Sequence, residues 1–205
     1  VGHREDLLAA ARRCLEKRGY ARTTARDLVA DSGTNLASIG YHFGSKEALL
    51  NEALGESFQE WAERVRSLAL AVEPSADRRT VLAASWDAMI TSFAEYRGLA
   101  VAFTEALAQA ERQPELRAQL AAIYEQSRAS VAAMITEIIG VPTGPARALA
   151  TFQIVVCDGL LVQWLLDPDA TPSGAELTDA LLLAVRPPGS STTERDPGGR
   201  FAGPQ

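Results

Sequence analysis

Apolar residues recur at helical spacing along almost the whole chain, and this period restricts it to an all-α fold. Ala and Leu dominate, β-branched runs are short, and no Asn-Gly or Asp-Gly turn joins two alternating stretches. Leu7, Leu8, Ala11, Cys14 and Leu15 form one stripe of a first helix that Gly19 stops. Thr23 and Thr24 are good N-caps for a short second helix over residues 25–31, ended at Ser32-Gly33. A third short helix follows Asn35 to about residue 43, and Ser45 caps a long fourth reaching about residue 72. A loop over 73–77 precedes the stripe Leu82, Trp86, Met89, Ile90 and Phe93. Gly98 marks a turn or kink before the helical pattern continues to about residue 111. Pro114 opens a helix at its first turn, where the missing N–H costs nothing, and that helix runs to about residue 139. A Gly/Pro loop over 140–145 leads to an apolar helix over 146–166 and a short last helix over 174–185. About nine helices result.

The chain has 205 residues, enough for one large or two small domains, and a formal charge of −6. Bulk charge therefore does not make it a polycation that coats nucleic acid. The charge is uneven, however. Residues 1–46 hold eight basic and five acidic side chains, a net +3, while the remainder holds twelve and twenty-one, a net −9. Such asymmetry suggests a small head that meets a polyanion and a body that does not; an Arg-rich solvated helix is the plainer alternative. Cys14 and Cys157 lie far apart in sequence and make no CxxC redox or zinc pair. With His3 and His42 as the two histidines, a His-based metal cage is excluded as well, and no metal or cofactor is expected. No basic start followed by an apolar core marks a secretory signal, so the expected location is the cytoplasm.

The second and third helices, joined at Gly33, fit a helix-turn-helix. In such a unit the second helix, through Leu28 and Val29, braces a third that enters the DNA major groove. Ile39 and Phe43 would hold the third helix to its bundle. Leu36, Ala37, Ser38 and Gly40 would face outward, small enough for close approach, with Leu36 and Ala37 against thymine methyls and Ser38 at base edges. Arg26 would reach a base or the backbone from the flank, and Arg4 from the leading arm. Tyr41, His42, Lys46 and Thr23 or Thr24 are the expected phosphate contacts, since each presents a donor to phosphate oxygens.

Residues Gly19-Tyr20, Thr23-Thr24-Ala25-Arg26-Asp27-Leu28, Ser32-Gly33 and the run Ile39-Gly40-Tyr41-His42-Phe43-Gly44-Ser45-Lys46-Glu47-Ala48-Leu49-Leu50 resemble the TetR family of bacterial transcriptional regulators. The match covers about residues 4–50. The resemblance implies a three-helix DNA-binding domain, a fourth helix linking it to an all-helical ligand-binding and dimerisation domain, and a homodimer on a palindromic operator. It further implies repression that a small molecule relieves. Domains are accordingly expected over 1–47 (DNA-binding), 48–186 (ligand-binding and dimerisation) and 187–205. That last stretch has four Pro and four Gly and no Leu, Ile or Val, which reads as a disordered tail. Thr34 and Gly40 depart from the family pattern, in which an apolar residue and a Tyr or Asn are frequent.

For the effector, the candidate lining is Trp86, Met89, Phe93, Phe103, Tyr124 and Phe152, and the scarcity of charge in those stripes favours an uncharged or lipophilic compound. The apolar stretch 148–166 approaches membrane-spanning length, but Gln153, Asp158 and Gln163 interrupt it. Burial against a second copy is the preferred reading, with Phe152, Val156, Leu160, Gln163, Trp164, Leu177 and Leu181 as the expected interface in a four-helix bundle. No membrane partner is expected. The rival readings are a constitutive or architectural DNA binder without effector, and an enzyme using Cys157 beside Asp158. The latter lacks a nucleophile–base–orienter set.

Overall fold

The computed structural model describes residues 2–71 and 77–185. Among them are nine α-helices, one short 3₁₀ turn and no strand, so the all-α expectation holds. The helices are α1 (His3–Arg18), α2 (Ala25–Ser32), α3 (Leu36–Phe43), α4 (Lys46–Leu70), α5 (Arg78–Glu95), α6 (Arg97–Ala110), α7 (Pro114–Ile139), α8 (Thr143–Leu166) and α9 (Gly174–Ala184). The expected loop over 73–77 and disordered tail over 187–205 fall, except for Asp77, outside the described residues.

Two boundaries differ from the sequence reading for physical reasons. The α8 helix begins at Thr143 rather than after Pro145. Gly144 and Pro145 sit in its first turn, where backbone N–H groups have no helical partner and a proline removes nothing. Gly98 is not itself the break between α5 and α6. Tyr96 forms the joint, and Gly98 lies inside α6, where its missing side chain admits the backbone of Glu16 from α1. A Cβ there would stand 2.5 Å from the Glu16 carbonyl oxygen.

One hydrophobic core unites α1, α2, α3, α4, α6 and α7. Leu7, Leu15, Leu28, Leu49, Leu54 and Leu116 are shut off from solvent at its centre. Each such side chain contributes on the order of 1.5–3 kcal/mol by leaving water. The packing runs past the start of α4 without a gap, so the head is welded to the body through α4 and α6 rather than tethered to it. Glu105 of α6 strengthens the join by accepting the Ala21 N–H at 2.9 Å. The phenol of buried Tyr20 also donates to Asn51 Oδ1 of α4 at 2.6 Å, and burial pushes its pKa up to about 12.

A second core packs Trp86, Met89 and Phe93 of α5 against Cys157, Leu160, Leu161 and Trp164 of α8. Also packed on α5 is α9, whose Leu177 reaches the second core and whose Ser173–Glu176 capping box fixes its start. The Gly174 N–H donates to Asp87 Oδ1 at 2.6 Å, and Arg79 grips Asp179 with two bonds of 2.8 and 2.7 Å.

Candidate functional site

The helix-turn-helix is assembled by caps. Thr24 and Asp27 exchange a capping box at the start of α2, and the Thr24 contacts hold the Asp27 carboxyl below its ordinary range. Gly33 adopts φ 69°, the left-handed conformation that ends α2 and that a side chain would oppose. Asn35 then caps α3 by accepting the Ser38 N–H at 3.1 Å. Thr34 is half-buried, and its hydroxyl bonds the Ser32 hydroxyl at 2.8 Å, which replaces the apolar packing that the family pattern has there.

The geometry divides α3 into two faces. Leu36, Ala37, Gly40 and Tyr41, at i, i+1, i+4 and i+5, share the solvent side, with Leu36 56% and Tyr41 86% exposed. Ser38, Ile39, His42 and Phe43 share the other, the first two buried and the last two half-buried. This corrects one expected base contact. Ser38 is buried, its hydroxyl donating to Asn35 Oδ1 at 3.3 Å, because a residue two positions after exposed Leu36 lies about 200° around the helix from it. Arg26 remains exposed in the first turn of α2.

The expected phosphate contacts divide similarly. Thr23 is sealed inside, donating its hydroxyl to the Gly19 carbonyl at 2.7 Å, and is unavailable to a phosphate. The exposed Thr24 hydroxyl is spent on Asp27 Oδ2 at 2.6 Å. Lys46 is half-buried, its Nζ 3.3 Å from both the Thr23 carbonyl and Glu47 Oε1. Tyr41 is open, with His42 set edge-on at 4.8 Å between ring centroids. Arg4 does not form a leading arm: it pairs with Glu52 and lies over the Phe43 ring, 5.1 Å from its centroid.

Much of the head's positive charge is spent internally. Arg12 pairs with Glu60, Arg13 with Asp31 through a 2.7 Å Nε bond, and Arg18 with Asp27 at 3.4 Å. Among the described residues Lys17, Arg22 and Arg26 carry no ion pair, so the field available to a polyanion comes mainly from these three.

A cavity of about 380 Å³ opens between α4, α5, α6, α7 and α8. Met89, Phe103 and Tyr124 line it as expected. Trp86 and Phe93 do not: both are packed in the second core, Phe93 against Trp164. Phe152 lies outside on the far face of α8, 46% exposed. Sequence reasoning missed Phe58 and Trp61 of α4, which an amphipathic stripe cannot assign to a cavity rather than to plain core. It also missed Asp158, the charge that interrupts the apolar stretch. Its Oδ2 accepts the Tyr124 hydroxyl at 2.8 Å, and burial raises its pKa. Burial and then Asp158 also push the Cys157 thiol well up, opposite to the shift that makes a cysteine nucleophilic.

The outer face of α8 carries Phe152, Val155, Gly159, Val162 and Leu166 at steps of three and four, with Val155 62% and Leu166 83% exposed. This is the spacing of a helix–helix seam. Of the residues expected at an interface, Phe152 lies on this exposed row, whereas four others pack inward. Leu160 and Trp164 are buried in the second core, and Val156 and Leu177 pack against it, because α8 turns its largest residues toward α5. Gln163 is exposed beside the seam, and Leu181 is half-buried while Leu182 and Leu183 of α9 are exposed.

Residues 7–53 match the model of bacterial regulatory proteins of the tetR family, and residues 76–187 match that of the tetracyclin repressor-like C-terminal domain. The chain is 28% identical over 189 residues to the nicotine-responsive transcriptional repressor HdnoR of Paenarthrobacter nicotinovorans, spanning 90% of this chain and 94% of that one. It is 37% identical over 65 residues to the transcriptional repressor AcnR of Corynebacterium efficiens, a likeness that spans 32% of this chain and only 35% of AcnR. Among solved structures, the multidrug binding protein EbrR complexed with proflavin superposes with a TM-score of 0.63 at 27% identity, covering 89% of this chain and 98% of EbrR. With a capped helix-turn-helix at one end, a helical body at the other, and family models matching both, the chain belongs to the TetR family of bacterial transcriptional regulators.

Proposed function

We propose that the protein is a cytoplasmic, non-enzymatic repressor that binds a palindromic operator as a homodimer and releases it when a small molecule fills the α4–α8 cavity. Residues 1–47 serve as the DNA-binding unit and residues 48–186 as the ligand-binding and dimerising unit. The observation that carries the reading is the outward face of α3. A two-turn helix that exposes Leu36 and Tyr41 while placing only Ala37 and Gly40 between them suits a groove floor better than solvent. Leu36, Ala37 and Gly40 read bases in this arrangement, Arg26 reads from the flank, and Tyr41, His42, Lys46 and the Thr24 end of α2 contact phosphates. Two copies present their α3 helices about 34–36 Å apart, one duplex turn.

The α8 seam supports the twofold pairing. Gly159, with nothing beyond its own stretch of helix within 4 Å of where its Cβ would be, lets two such helices approach closely at the seam's centre. The cavity supports the effector. Its wall includes Phe58 and Trp61 of α4, the helix that begins at Lys46 immediately after α3, so a ligand preferring another tilt of α4 changes the spacing of the α3 helices by its differential affinity. HdnoR's responsiveness to nicotine and EbrR's complex with proflavin support a small-molecule effector here.

Selection of bound duplexes from a random pool, at about 0.15 M salt with excess scrambled competitor, tests the reading. An inverted repeat is the expected product; recovery of no sequence preference overturns it. Tyr41→Ala is expected to leave folding stability within about 0.5 kcal/mol, as for exposed sites generally, while weakening binding to the selected operator roughly tenfold. Fluorescence anisotropy with labelled operator reads the second quantity and thermal melting the first. Gly40→Ala adds a methyl group into open space and is expected to stabilise α3 by up to about 1 kcal/mol while changing base preference at the position it faces. Melting of the variant and a repeat of the selection would show both effects.

A further inference from the structure

We propose that the α4–α8 cavity is built to take an organic cation, with Asp158 as counter-ion and the rings of Phe58, Trp61 and Tyr124 as walls. The inference rests on the reading of this cavity as the effector site and names the chemical class of the effector.

Asp158 is the anchor. Among the described residues it makes no ion pair, and its one hydrogen bond comes from the neutral Tyr124 hydroxyl. The other charged groups nearby are already matched. Glu63 and Arg66 on the α4 wall pair with each other at 3.2 Å, and Glu125 of α7 pairs with Arg128 at 3.1 Å and Arg147 at 2.7 Å. On its own helix Asp158 is flanked by the Cys157 thiol, and α5 and α6 add only Ser85, Met89 and Phe103. A carboxylate held half-buried without a cation is costly, and a bound cation removes that cost while an uncharged ligand leaves it. An anionic ligand would be repelled.

The walls suit the same class. Phe58 lies 5.3 Å from Trp61 and 4.5 Å from Phe103, which lies 6.0 Å from Tyr124, so aromatic rings run continuously around the site. Trp61 is held in place by its Nε1–H bond to Ser92 Oγ at 2.8 Å. Aromatic faces attract cations, and a weakly hydrated organic cation loses little on entering an apolar chamber. The volume suits a small, drug-sized molecule. The expectation of an uncharged effector came from the stripes alone, which do not show that Asp158 shares their cavity.

The titration of Asp158 gives the inference a second readout. Burial raises its pKa, so lowering the pH neutralises it sooner than an ordinary carboxyl, and a cation loses its partner in that range. Binding the cation must, by linkage, pull the same pKa down.

The test compares N-methylacridinium, with a fixed positive charge, against acridine, of the same shape and neutral at about pH 8, by fluorescence titration of the full chain and of Asp158→Asn. Asn preserves an acceptor for Tyr124. The wild type is expected to bind the cation at least about tenfold tighter than acridine, and Asp158→Asn to bring the two within about twofold. Cation affinity of the wild type should fall as the pH is lowered, and that of Asp158→Asn should not. Equal loss of both probes in Asp158→Asn, or tighter binding of acridine by the wild type, overturns the inference and leaves the cavity a ligand site of another class. Binding of neither probe to the wild type overturns the cavity reading and the inference together.

Discussion

Replacing Val155 and Val162 together by Glu is expected to leave the fold intact, convert the protein to monomers and weaken operator binding at least about 100-fold. Both side chains stand on the outward seam of α8, more than 45% exposed in the single chain, so a charge there meets water rather than core. In the proposed dimer the same positions would face their mates, where four buried carboxylates would repel one another and find no partner. Two linked half-site contacts gain roughly 10²–10⁴ in affinity over one, and that gain disappears with the pair. Analytical ultracentrifugation reads the oligomeric state and a gel shift the affinity. A variant that remains dimeric would place the interface elsewhere. Leu160→Glu, aimed at the residue that sequence alone nominates, should instead unfold the second core, because Leu160 is packed between α5 and α8.

The second large effect is expected at Gly98. An added Cβ would lie 2.5 to 2.9 Å from backbone atoms of Glu16, and backbone within a helix cannot swing aside as a side-chain tip can. Gly98→Ala therefore forces α6 away from α1, at a cost of about 1–3 kcal/mol despite the better helix propensity of Ala. Since α6 also carries Glu105, the bond to the Ala21 N–H is strained with it, and the join between head and body loosens. Urea unfolding should show the loss. Gly144→Ala, in the first turn of α8 with nothing within 4 Å, is the matched control and should be neutral or slightly stabilising. Equal behaviour of the two variants would mean that α6 and α1 are not in register as described.

The helix-turn-helix was legible because its signals are local. Thr24 with Asp27, Gly33, Asn35 and Ser45 are caps and turns whose meaning depends on three or four neighbouring residues, and all five act as the spacing requires. Ser38 and Thr23 were misplaced for the converse reason. A hydroxyl reads equally well as a DNA donor or as a satisfied buried group, and only the bundle around it decides. Arg4 shows the same limit for charge, since Glu52, which engages it, lies 48 residues away on α4. In the body, Phe93, Phe103 and Phe152 are three identical side chains with three fates: core, cavity wall and outer seam.

By itself the sequence determined the helices, their caps and the family of the head, because period, cap chemistry and turn glycines act over a few residues of one chain. The tertiary structure decided which face of α3 meets solvent, which row of α8 is left exposed, and that Asp158 shares a chamber with Trp61 and Tyr124. Those outcomes depend on how helices distant in sequence rotate against one another, and an α-helix of mostly apolar residues such as α8 does not encode its own rotation. It is the packing of Trp86 and Phe93 against Leu160 and Trp164 that fixes it.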